Sequence, residues 1–295
     1  MSVRMKDRID PLISERAPWL FAGHPWSAPS RTVLTGMLGY NRTIRLAEFL
    51  RERPAGEIMQ VMAGLLARDL EVSGLTNIPS SGPALIVANH PTGIADGILL
   101  NAVIAKVRSD AFFYANSDIL RVLPQMNEVI VPVEWRLEKR SHAKTRETMA
   151  NTRKAVDDGR LGVIFPAGRL AKRRGLKLYE RPWMASAAMI ARKFDLDVIP
   201  VNIRARNSVL FYLFDLIHPT LRDITLFHET LNKHKQPFRI TVGDPIPASA
   251  LPSRSDEGID MLRKATLALG GRYAPSVSLV QNSRLPSWAR PAIGL

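Results

Sequence analysis

The chain contains no cysteine, which excludes disulfides, thiolate zinc sites and any covalent acyl-cysteine intermediate. No Gly-x-Ser-x-Gly elbow is present, so a serine or cysteine hydrolase would lack its nucleophile. Walker lysine spacing is missing, which excludes a nucleotide P-loop. There is no His-Glu-x-x-His: the six histidines are scattered, and His228-Glu229 lacks a second histidine, so no metal is expected. Uncharged apolar runs of about 18 residues are also absent, so no transmembrane helix is expected. The charged start, Met1 to Arg8, leads into no apolar stretch of the secretory-signal kind. These features are consistent with a cytosolic protein.

Negative charge is scarce. Lys and Arg total 41 against 27 Asp and Glu, a net charge of +14. Such an excess implies polyanionic company: an anionic membrane surface, phosphate-bearing substrates or nucleic acid. From Arg136 to Arg181 there are 14 Lys/Arg against 5 Asp/Glu. A solvated basic face is the plain reading of that run. Aromatic residues do not interleave with it as base-stacking platforms would, so nucleic acid is not an expected partner.

With 295 residues, 46% of them hydrophobic, the chain can bury a core of ordinary globular size. Residues 1–69 carry Pro18-Trp19-Leu20-Phe21 and Pro25-Trp26, then amphipathic helical patterning over Val33–Leu50 and Glu57–Leu70. This pattern suits a membrane-interface anchor, and equally a helical arm packed on a core. From residue 70 apolar, β-branched runs occur at Ala84–Ala88, Ala111–Ala115, Val129–Val133, Gly162–Phe165, Val198–Ile203 and Phe238–Val242. Helix-like stretches lie between them at Gly97–Val107, Lys144–Asp157, Trp183–Phe194 and Leu221–Lys233, and a last one runs from Ser255 to Gly270-Gly271. The alternation predicts an α/β fold, a mixed, largely parallel sheet flanked by helices over 70–272, with a helical N-terminal arm. The Ser/Pro-rich tail, 273–295, is expected to be loosely ordered.

Three strand-to-loop junctions carry the candidate chemistry. In the first, the apolar run Ala84–Ala88 opens into Asn89-His90-Pro91-Thr92-Gly93-Ile94-Ala95-Asp96-Gly97. A lone strand-end histidine is more often structural than catalytic. Here Asp96 follows within one turn to orient it, and Gly93 permits close approach of a ligand to the backbone. His90 as base would need a neutral imidazole with one nitrogen free, and Asp96 at the other nitrogen would stabilise the imidazolium. Without a protein nucleophile, such a pair most economically activates a substrate hydroxyl. The second junction is Val163-Ile164-Phe165-Pro166-Ala167-Gly168-Arg169 followed by Lys172-Arg173-Arg174. A Pro/Gly turn with an adjacent arginine is a candidate anion site, against the plainer reading of an ordinary turn with a basic loop. The third, Val198-Ile199-Pro200-Val201-Asn202-Ile203 into Arg204-Ala205-Arg206-Asn207-Ser208, reads by itself as a core strand with solvated ends.

Taken in order, these segments resemble the glycerolipid (lysophospholipid) acyltransferase superfamily. Its first block, a histidine and an aspartate separated by four residues, corresponds to Asn89-His90…Asp96-Gly97. The second, a strand and a polar turn, corresponds more weakly to Phe112–Arg121 with Pro124. Phe-Pro-Glu-Gly-Thr-Arg of the third corresponds to Phe165-Pro166-Ala167-Gly168-Arg169, and the proline-ended strand of the fourth to Val198–Val201. Two departures stand out: five residues separate His90 from Asp96, and Ala167 stands at the glutamate position. The stretch after His90, and the segment from Asn207 through Lys233, resemble the hemolysin-related branch, which includes acyltransferases of lyso-aminolipids such as lyso-ornithine lipid.

The resemblance implies transfer of a fatty acyl chain from acyl-CoA or an acyl carrier protein to a lysolipid hydroxyl. His90 and Asp96 would be catalytic. Gly93, Phe165, Pro166, Gly168, Arg169, Pro200, Arg204 and Arg206 would line the substrate, with backbone donors near Gly168 facing the oxyanion. No metal or redox cofactor is implied, and the expected location is the cytoplasmic face of the inner membrane, peripheral or monotopic. Two further readings stay open: a non-catalytic lipid-binding protein on the same fold, and a lipid hydrolase in which water replaces the acceptor.

Overall fold

The structure is a computed structural model describing residues 4–134 and 141–283. The Arg136–Arg140 part of the basic run and tail residues 284–295 lie outside the described residues. Four helices come first: α1 (Met5–Arg16), α2 (Ser27–Met37), α3 (Tyr40–Leu50) and α4 (Ala55–Leu66). The amphipathic stretch over Val33–Leu50 is thus two helices, because the chain turns at Gly39 with φ 69°. Next come β1 (Leu70–Ser73), β2 (Ala84–Ala88), α5 (Ile94–Ile104), β3 (Phe112–Ala115), α6 (Asp118–Val122) and β4 (Ile130–Pro132). They are followed by α7 (His142–Asp157), β5 (Leu161–Ile164), the hairpin β6 (Lys172–Arg174) and β7 (Lys177–Tyr179), and α8 (Ser186–Lys193). The described chain closes with β8 (Val198–Arg204), α9 (Val209–Ile217), α10 (Pro219–Asn232), β9 (Phe238–Val242), α11 (Ser255–Ala268) and β10 (Ser276–Ser278).

The main sheet has seven strands in the order β1-β9-β8-β2-β5-β3-β4. All neighbours run parallel except β8 and β9, which are antiparallel. All five residues of β2 are buried, which accounts for its unbroken apolar run: a parallel strand covered on both faces has no solvent side. Its alternate residues divide the core. Ile86 and Ala88 pack with α1, α4 and α5, while Leu85 and Val87 pack with α8 and α11 on the opposite face. The fold is therefore three layers, helices over sheet over helices.

Met5, Ile9 and Leu12 of α1 are buried in the same cluster as β2 and α5, so the N-terminal helices share the main core. The tail departs from its expected looseness at its start. Ser276–Ser278 forms β10, antiparallel to β7, because the free edge of the hairpin offers unpaired backbone groups.

β5 lies between β2 and β3, so the chain leaves β2 over α5 to β3 and later returns to fill the gap. In parallel sheets, ligands bind beyond the carboxyl ends of strands at such a switch point. The loops after β2, β5 and β8 all open there.

Candidate active site

The loop after β2 is built by Gly93 and Asp96. Gly93 caps the N-terminus of α5 with φ 104° and ψ −136°, a conformation side-chain-bearing residues avoid. Asp96, in the first turn of α5 and fully buried, accepts hydrogen bonds from the backbone of Thr92 (2.8 Å) and Gly93 (2.9 Å) and from the Thr92 hydroxyl (2.5 Å). These bonds satisfy helix-start N–H groups and fix the carboxylate. The turn at Gly93 takes up the fifth intervening residue, and His90 still meets its partner: Nδ1 lies 2.9 Å from Asp96 Oδ2. The ring N–H points off that line, outside the angular range of a hydrogen bond. Such off-axis geometry is common before substrate binds and tightens in the reacting complex. With Nδ1 turned to Asp96, Nε2 is on the far side of a ring whose side chain is 19% exposed.

Phe165, at the end of β5, stacks on the His90 imidazole at 4.4 Å between centroids and 27° between planes. Pro166 holds the turn through its carbonyl, which accepts from Met184 N at 3.0 Å. Gly168, at φ 60°, donates its own N–H to Phe165 O at 2.9 Å. That donor is therefore engaged inside the turn, and an oxyanion there needs another. Arg169 is exposed beside Arg181. Burial, then the charges of Arg169 and Arg222, hold the Arg181 guanidinium below its usual range, the signature of clustered cations.

The junction after β8 divides. Arg204 lines a small cavity with Asn89, Glu180 and Asn202. Asn89 clasps the strand by donating Nδ2–H to Ile203 O (2.9 Å) and accepting from Ile203 N (2.6 Å). Pro200 sits mid-strand opposite Val87, short of the His90 end, with its ring 3.0 Å from where a Gly243 Cβ would lie. Arg206 turns inward, only 8% exposed, and donates Nη1–H to Asn207 O at 2.8 Å. The fold thus gathers His90, Asp96, Gly93 and Phe165 around one loop and places Pro200 and Arg206 in its supporting layers.

Two groups escaped the sequence reading. One is Glu180, 90 residues beyond His90 and 8% exposed, which accepts His90 N–H at 3.2 Å and Trp183 Nε1–H at 3.0 Å. Burial pushes its carboxyl up to about 7, against the pull of those hydrogen bonds. The other is a buried set behind Asp96. Lys233 donates to Glu229 Oε2 (3.0 Å), Arg206 O (3.3 Å) and Asn207 Oδ1. Glu229 also accepts from Ser208 N at 2.7 Å and Ser208 Oγ at 2.5 Å. A charged pair four residues apart in the Leu221–Lys233 helical stretch was visible in the sequence, but not its burial.

The Glu180 shift has a measurable consequence. Because the folded carboxyl titrates above its ordinary 4.5, its stabilising contribution is complete below that pH and lost as pH rises through 7. At 1.36 kcal/mol per unit, that is about 3 kcal/mol. Urea unfolding of wild type and Glu180→Gln at about pH 4.5 and about pH 8 should show the gap between them shift by roughly that amount, in the variant's favour at the higher pH. A gap independent of pH would refute this titration.

The site is thus a His–Asp pair in the loop after the central strand of a largely parallel α/β sheet. A family model described as Acyltransferase matches residues 69–204. The lyso-glycine lipid O-acyltransferase of Phocaeicola vulgatus is 26% identical over 201 residues, 65% of this chain and 69% of that protein. The protein of the same name from Bacteroides thetaiotaomicron is 26% identical over 197 residues, 65% and 71% of the two chains. Among solved structures, the 1-acyl-sn-glycerophosphate acyltransferase PlsC of Thermotoga maritima shares the fold with a TM-score of 0.51 at 16% identity, covering 82% of this chain and 96% of that one. These likenesses support the glycerolipid acyltransferase superfamily, with an acyltransferase domain matched over residues 69–204.

Proposed function

We propose that the protein transfers a fatty acyl chain from an acyl thioester, on acyl carrier protein or CoA, to the hydroxyl of a lysolipid. The supporting observation is the 2.9 Å approach of His90 Nδ1 to a carboxylate fixed by three hydrogen bonds. His90 Nε2 takes the proton of the acceptor hydroxyl as its oxygen attacks the thioester carbonyl. Asp96, buried and held by its hydrogen bonds, orients the ring and stabilises the imidazolium formed. The tetrahedral intermediate then collapses, the carbon–sulfur bond breaks, and the thiolate leaves with the proton carried by His90. No metal or redox cofactor enters this scheme.

Phe165 holds the imidazole plane, and Arg169 with Arg181 binds an anionic head group or the donor's phosphates. The names of the two lyso-glycine lipid O-acyltransferase relatives point to a lyso-aminolipid acceptor, in keeping with the segment from Asn207 through Lys233 that resembles the hemolysin-related branch. Among the described residues no helix is long and apolar enough to cross a membrane. Independently of that, the proposal takes the enzyme to be a peripheral or monotopic protein on the cytoplasmic face of the inner membrane.

The test is incubation of purified protein with labelled acyl-carrier-protein and CoA thioesters and a panel of lyso-aminolipids and lysophospholipids. Acylated lipid is the expected product. Release of free fatty acid alone would instead make the protein a hydrolase, and no turnover with any pair would leave a lipid-binding protein on an acyltransferase fold.

A further inference from the structure

The outer side of α9 has no partner among the described residues. Val209, Leu213, Leu216 and Ile217 recur at the spacing of one helical face and are 74%, 49%, 67% and 62% exposed. The opposite side is the ordinary buried half of an amphipathic helix: Phe211, Tyr212 and Phe214 are all below 10%. Scattered exposed leucines need no explanation, but four large apolar residues on nine residues of helix do.

Three observations identify what covers this face. First, Phe211 and Tyr212 share a cluster with Leu178 of β7, so the β6–β7 hairpin stands beside α9. From Arg169 to Arg181 that region carries Arg169, Lys172, Arg173, Arg174, Lys177 and Arg181, and its lone acid, Glu180, is buried. The hairpin tip is itself apolar: Leu176 is 66% exposed between flanking cations. Second, the neighbouring acids do not oppose this charge, since Asp215 and Asp223 both pair with Arg222. Third, the same cluster contains Leu170 and Leu226, the two side chains that crowd Gly93 beside His90. The apolar face therefore lies one side-chain layer from the His90 loop.

An apolar helix face bordered by cations, next to the mouth of a site, fits an anionic lipid surface. A second copy of this chain would bring +14 against +14. We propose that the outer face of α9 inserts into an anionic bilayer, with the β6–β7 hairpin lying on its head groups. This orientation presents the His90 loop to the plane in which a lysolipid hydroxyl lies, a consequence that rests on the proposed acyl transfer. The docking itself does not.

The absence of cysteine makes the test clean, because one introduced thiol takes a polarity-sensitive dye at one place. Leu216→Cys labelled in the full chain should shift to the blue on adding vesicles containing phosphatidylglycerol. The same label at Met189→Cys, which is 56% exposed on α8 across the sheet, should not respond. Leu213→Asp/Leu216→Asp should lower vesicle co-sedimentation about tenfold, and uncharged phosphatidylcholine vesicles should bind wild type at least about tenfold more weakly. Circular dichroism checks that the double variant is folded. No blue shift at Leu216, or equal shifts at both labels, would overturn the proposal. So would undiminished binding by the double variant, or a concentration-dependent dimer that this variant abolishes without changing vesicle binding. None of these readouts requires turnover, so an inactive protein that still docks would sink the acyltransfer reading and leave this one standing.

Discussion

His90→Ala should lower the rate of acyl transfer about a thousandfold while leaving the fold essentially intact. A positioned general base contributes roughly 10²–10⁴ in rate. The stability cost should be small, because the side chain is partly exposed and its main contact is stacking on Phe165, worth about 1 kcal/mol. Asp96→Asn should behave differently. Its amide presents one acceptor where the carboxylate now accepts from Thr92 N, Gly93 N and Thr92 Oγ1. At least one buried donor loses its partner, so this variant should lose roughly 1–3 kcal/mol of stability as well as activity. Parallel measurement of kcat and of urea unfolding separates the two. A His90→Ala enzyme retaining more than about a tenth of the wild-type rate would remove His90 from the base role, since general-base losses begin at roughly 10².

Lys233→Met should cost about 3–5 kcal/mol, the largest stability loss expected of any single change considered. The side chains of Lys233 and Glu229 are 2% and 1% exposed. Burial pushes the Lys233 ammonium below its usual range against the pull of Glu229. Burial pulls the other way on Glu229, but the Lys233 charge and the Ser208 hydrogen bonds outweigh it and hold this carboxyl below its ordinary value. Removing one partner strands a desolvated charge, which is the costly case. Adding Glu229→Gln to Lys233→Met should recover part of the loss, because it discharges the orphan while retaining an acceptor for Ser208. Denaturation of the single and double variants measures the coupling. A single variant within about 1 kcal/mol of wild type would mean that the pair is solvated in solution, since desolvation is what makes the loss large. The Arg206–Ser208 loop hangs on this pair, so activity should fall with stability.

The legibility of this chain followed the range of the interactions. β2 and β9 occupy the residues their apolar runs marked, and β3, β4, β5 and β8 differ by a residue at their ends. A strand covered on both faces writes its burial into consecutive residues. α9 was different. Its run Val209–Ile217 is apolar nearly all round, and a short apolar stretch does not distinguish helix from strand or inner from outer face by periodicity. β10 was illegible for another reason: three residues of a Ser/Pro-rich tail form a strand only because β7 offers an edge.

By itself the sequence determined the class of fold and the His–Asp loop. Both rest on local chemistry: alternating strand and helix patterns, a glycine where only glycine fits, and an aspartate placed to cap the helix it begins. The tertiary structure alone decided what surrounds that loop. Glu180 reaches His90 from 90 residues away, Phe165 reaches it because β5 is inserted beside β2, and Lys233, just past the end of α10, finds Asn207, just before α9. It also decided which half of α9 faces outward. Those contacts depend on strand order and on which surfaces remain after packing, and neither is encoded within the span of a single element.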